Sequence, residues 1–114
     1  MVPRRLERLP RFRIADDAVI HEARTFASRL LGLALLRELP SGHALLIPDC
    51  RSVHTFGMRF PIDVAFLDER GRTIRVERSV GARRVLVCRD AFAVIESPAG
   101  EIQRYAGEGG AVVP

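Results

Sequence analysis

Six consecutive residues, Ile62 to Leu67, set the tightest limit on what this chain can become. Side chains alternate along a strand with a period of two, so Ile62, Val64 and Phe66 share one face and Asp63, Ala65 and Leu67 share the other. Both faces are apolar apart from Asp63, which places the strand inside a sheet covered on both sides. At least two layers must therefore pack around it. With 114 residues, 47% of them hydrophobic, the chain can build one such core and has no room for separate cofactor and substrate domains.

The remaining pattern supplies short strands and one helix. Phe12 to Ile14 and Val19 to Ala23 read as a hairpin turning at Asp16-Asp17. From Thr25 to Arg37, residues Phe26, Leu30, Leu33 and Leu36 follow helical spacing, Thr25 or Ser28 can cap the start, and Pro40 with Ser41-Gly42 ends the segment. Ala44–Ile47 and Ser52–Phe56 read as strands, and Asp68–Gly71 is a turn into a half-exposed strand, Thr73–Ser79. Val85–Cys88 and Phe92–Ile95 read as an antiparallel pair flanking Arg89-Asp90. Glu101–Tyr105 fits a single helical turn and Ala111–Val113 a terminal strand. These elements predict a mainly β fold, a small antiparallel sandwich or barrel with one short helix at about residues 25–37. Residues 1–114 form a single domain, of which 1–10 are expected to be a flexible basic arm.

Every basic side chain is Arg, and the net charge is +4. The arginines are spread along the chain and interleaved with acids, with few aromatics to stack on bases, which argues against a nucleic-acid partner. No apolar run approaches the ~18–20 residues of a transmembrane helix, and no apolar segment of a secretory signal follows the basic start, so the expected location is cytoplasmic. In that compartment Cys50 and Cys88 are expected as free, structural thiols.

Chemistry-bearing residues gather between Cys50 and Asp68, CRSVHTFGMRFPIDVAFLD. His54 and Asp63 flank a bend at Gly57 and could act as a general base with its orienting carboxylate, or as a buried polar pair that aligns strands. Arg29 on the predicted helix is a candidate partner for Asp63. Thr55, Met58 and Arg59 surround the bend and could edge a pocket. Cys50 and His54 have a C-x-x-x-H spacing, but along a strand their Cα atoms would lie about 13 Å apart, so neither a zinc site nor a Cys nucleophile with a His base follows. Nucleotide-binding motifs are absent, and no metal or cofactor is expected.

These residues resemble a known family. Ser28-Arg29, Gly32-Leu33, Leu45-Leu46-Ile47, the run Cys50 to Val64, the hairpin at Gly71 and the Glu96…Gly100 segment together are similar to domain-of-unknown-function family 192, a group of small, mostly uncharacterised prokaryotic proteins. The resemblance covers about Thr25 to Val113 and implies a compact, mainly β fold with one short helix and no known reaction. The chain departs from the family at Gly81-Ala82, where a Pro-Trp pair often precedes Arg83, and at Gly107-Glu108, where Gly-Asp is usual. The function expected first is a non-catalytic domain that binds a small ligand or a peptide on a surface edged by His54–Arg59. The alternatives are a hydrolase-like enzyme using His54 and Asp63, and an Arg-mediated nucleic-acid or anionic-surface binder.

Overall fold

The computed structural model describes residues 2–106. Its main sheet has six strands: β1 (Arg11–Ala15), β2 (Ala18–Glu22), β3 (His43–Pro48), β5 (Ile62–Leu67), β6 (Thr73–Val80) and β8 (Ala93–Pro98). They lie in the order β1-β2-β3-β8-β5-β6, and a separate ribbon pairs β4 (Ser52–His54) with β7 (Val85–Val87). The fold is mainly β, as expected. The sheet is not closed into a barrel, and it is mixed, because β2 and β3 run parallel. Parallel neighbours need a crossover connection, and residues 23–42 provide it.

That crossover holds a shorter helix than the spacing predicts. Helix α2 spans Phe26–Leu31, with the Thr25 hydroxyl accepting from the Ser28 N–H and the Ser28 hydroxyl accepting from the Thr25 N–H. It stops at Gly32, whose φ of +53° leaves the helical region. Leu33 and Leu36 are buried all the same, through turns that keep the apolar spacing without the helix. Within the segment expected to be a basic arm, Arg4–Glu7 forms a one-turn helix, α1, with Leu6 buried in the core. Arg5 donates to the carbonyls of Gly32 and Ala34, both at 2.8 Å, and so closes the C-terminal end of α2. Among the described residues no helix is long and apolar enough to cross a membrane.

Strand β5 is buried at all six positions, between β8 and β6. Its alternation divides the core. Ile62, Val64 and Phe66 face Leu45, Ile47, Val94 and Leu6, under the β4–β7 ribbon, whereas Ala65 and Leu67 face Ile95, Ile102 and Tyr105. The run Val85–Cys88 does not pair with Phe92–Ile95. β7 has an exposed-buried-exposed pattern and covers the sheet from outside, while β8 is buried over five residues and fills the middle of the sheet. The helical turn expected near residue 101 is a 3-10 turn at Ile102–Arg104. The terminal strand at Ala111–Val113 and the Gly107-Glu108 departure lie outside the described residues.

Candidate functional site

The middle strand carries a carboxylate that the pattern of apolar runs conceals. Glu96 sits on β8 on the same face as Val94, opposite Val64 of β5 and Leu45 of β3, and is 3% exposed. Its Oε1 has no hydrogen-bond partner among the described residues. Burial pushes its pKa up to about 7, and contact with the Leu33 backbone N–H offsets only part of this. The end of α2 makes room for it. A Cβ on Gly32 would lie 3.0 Å from Glu96 Oε1, so a side chain there would crowd the carboxylate.

Arg29, from the last turn of α2, lies beside the same space. Its Nη2 donates to the carbonyl of Asp49, and its Nε is buried with no partner among the described residues. The floor and walls include Ile47 of β3 and Ser52, Val53 and His54 of β4, and Leu31 and Val85 stand at the mouth. Together they enclose a cleft of about 180 Å³. The His54 ring also lies against Phe56, with ring centroids 6.0 Å apart. Cys50 is half-buried near the cleft, its thiol donating to the Ser52 carbonyl at 3.0 Å. Burial pushes that thiol up and Glu96 pushes it further, against the opposing effects of the Ser52 backbone and Arg29. Cys50 is held as a thiol rather than as a nucleophilic thiolate.

The residues expected to form the site fall into two groups. Arg29 and His54 meet at the cleft. The others serve elsewhere. Thr55 is fully buried, its hydroxyl donating to the Gly81 carbonyl and accepting from the Arg84 N–H, each at 2.7 Å, which ties the bend to the loop before β7. Met58 belongs to the core, and Arg59 is exposed on the loop. Asp63 lies on the opposite face of the sheet from Glu96 and accepts from the backbone N–H groups of Ser79, Gly100 and Ile102, at 2.9, 2.9 and 3.3 Å. Arg29 therefore does not pair with Asp63. Among the described residues no three His, Cys, Asp or Glu side chains gather as metal ligands.

Glu96 is the residue that the sequence patterns miss. The signal was available: an acid inside the run Ala93–Ser97 meets the same test that singles out Asp63 in Ile62–Leu67.

The fold has known relatives. It is similar to the crystal structure of a protein of unknown function from Novosphingobium aromaticivorans DSM 12444, with a TM-score of 0.67 and 21% identity over 83% of this chain and 76% of that one. It is also similar to the crystal structure of a protein from Sinorhizobium meliloti 1021 described as a candidate transcription regulator, with a TM-score of 0.67 and 20% identity over 76% and 73% of the two chains. At these identities the likeness carries the fold alone. No curated protein sequence matches the chain. The model of DUF192, described as an uncharacterized ACR, matches residues 13–114, and this chain belongs to that family.

Proposed function

We propose that this protein is a non-catalytic small-ligand-binding domain whose site is the cleft between α2, β4 and β8. The observation that supports this is a buried Glu96 that lines the cleft and whose Oε1 has no hydrogen-bond partner among the described residues. A buried acceptor left without a partner costs about 1–3 kcal/mol, so a fold does not keep one without a return. Asp63 shows the contrast, for there a buried carboxylate is saturated by backbone donors. At about 180 Å³ the cleft is below the ~300–1,000 Å³ typical of sites for drug-sized molecules, which suits a ligand of a few heavy atoms. The protonated state of the Cys50 thiol and the commitment of Asp63 to the backbone favour binding over chemistry.

The test is a fragment screen followed by protein-observed NMR. Hits should move the backbone resonances of Gly32, Val53 and His54. Hits confined to the apolar groove on the other side of the sheet, between Phe12 and Phe92, would place the binding function there instead.

A further inference from the structure

Arg29 carries a charge that no described acidic side chain balances. The ion pairs among the described residues join Arg24 to Glu22, Arg75 to Glu77, and Arg104 to Asp17 and Glu101. The described hydrogen bond of Arg29 goes to a neutral backbone carbonyl, and its Nε–H is buried without an acceptor among the described residues. Glu96 lines the same cleft and does not pair with it. The cleft is thus lined by a tethered cation beside a buried carboxyl with an oxygen that no described residue engages.

We infer that the cleft takes a small monocarboxylate with a short apolar tail, its carboxylate bridging Arg29 and Glu96 and its tail lying against Leu31 and Val85. This rests on the cleft being the binding site. The carboxylate supplies the counter-charge that Arg29 lacks, one of its oxygens accepting from the guanidinium where Arg29 lines the cleft. The other accepts from Glu96 in its protonated form, which burial favours. A neutral Glu96 donates where an ionised one would repel the anion. The apolar tail follows from the walls, Ile47 and Val53, and from the mouth, where Leu31 and Val85 are 38% and 60% exposed.

The probes are hexanoate, hexanamide and hexylamine, matched in tail and different in head, titrated into the full chain at pH 6 and pH 8 with NMR detection. Hexanoate should shift Gly32, Val53 and His54, and its Kd should rise about tenfold from pH 6 to pH 8 as the protonated fraction of Glu96 falls around its pKa of about 7. The charged or titratable groups facing the head are Arg29 from α2, Cys50, His54 from β4 and Glu96 from β8. Glu96→Gln, which keeps an N–H donor, should bind hexanoate with that slope removed. A slope that persists in the variant would assign the proton to His54 and overturn the role given to Glu96. Arg29→Gln should weaken hexanoate at least tenfold and leave the melting temperature within a few degrees. Cleft shifts with hexanamide or hexylamine and none with hexanoate would overturn the carboxylate while keeping the cleft as the site. Silence from all three probes would overturn both.

Discussion

Asp63 and Glu96 are buried carboxylates one step apart on adjacent strands, and they face opposite sides of the sheet. Asp63 lies opposite Ser97, and Glu96 opposite Val64. One is saturated by three backbone N–H groups, while the other keeps an oxygen without a partner among the described residues. The first joins β6 and the 3-10 turn to β5, and the second opens onto a cleft.

Asp63→Ala should destabilise the fold by about 3 kcal/mol, because it strands three backbone donors at the Ser79, Gly100 and Ile102 positions. Urea titration at pH 7 measures this. A loss below about 0.5 kcal/mol would mean that water replaces the carboxylate at those donors.

Glu96 makes stability depend on pH. Its folded pKa is raised from 4.5 to about 7, so its contribution is fully present below about pH 4.5 and is lost as pH rises through about 7. The loss is about 3 kcal/mol at 1.36 kcal/mol per pH unit. Glu96→Gln should therefore gain about that much on the wild type between pH 4.5 and pH 8, read from urea midpoints at the two pH values. A difference that does not change with pH would show Glu96 to be ionised and solvated.

His21 works in the opposite direction. Fully buried on β2, it donates from Nδ1 to the Leu6 carbonyl at 3.1 Å, so its Nε2 accepts from His43 Nδ1 at 2.9 Å. Burial, then the neighbouring His43, lower its pKa from 6.5 to about 4, with Arg11 adding to the fall and the Leu6 carbonyl and Glu7 opposing it. Its contribution is present above about pH 6.5 and is lost as pH falls through about 4. Between about pH 4.5 and 6.5 the two groups offset each other, and the wild type should show a shallow profile. Glu96→Gln should expose the limb of the coupled pair His21 and His43, whose pKa values are both lowered by burial, as a steady loss of stability towards acid. Should that variant stay flat down to pH 4, the His21–His43 pair does not hold α1 in its neutral form.

Cys50 and Cys88 are both free thiols. Thiol titration of the unfolded protein without reductant should count two. In the folded state Cys50 should react slowly with iodoacetamide at pH 7.5, because burial keeps it protonated, and it should react at the rate of an unhindered thiol once urea unfolds the chain. Equal rates in the two states would mean that the thiol is open to solvent.

The parts of the fold legible in the sequence are those that local pattern decides. β5 could be recognised as an interior strand because six residues report burial on both faces, and the turn at Asp68 could be recognised from its side chain, which accepts from the Arg70 and Arg72 N–H groups at 2.9 Å. Partner choice is a different matter. Val85–Val87 and Ala93–Pro98 are both short apolar runs, and nothing local says that one joins a two-stranded ribbon and the other the centre of the sheet. The end of α2 was hidden for a related reason: turns at Gly32 and Leu35, both at positive φ, bury the same leucines that a continued helix would bury. At the site, Arg29 and His54 were visible as residue types of interest. That Glu96 lines the same cleft could not be read locally, because it lies 42 residues beyond His54 and 67 beyond Arg29 and reaches the cleft only through long-range strand pairing.

The position of β8 has a consequence for how the chain is made. Its neighbours in the sheet, β3 and β5, both precede it in the sequence, so as the chain leaves the ribosome the β1-β2-β3 group and the β5-β6 hairpin emerge with nothing between them. The sheet can close only after residues 93–98 are synthesised, and each half must keep an open edge until then. Insertion of this last described strand adds Val94 to one core and Ile95 to the other, and carries Glu96 into place beneath α2. The cleft, which takes Glu96 from β8, can therefore form only once this strand is in the sheet.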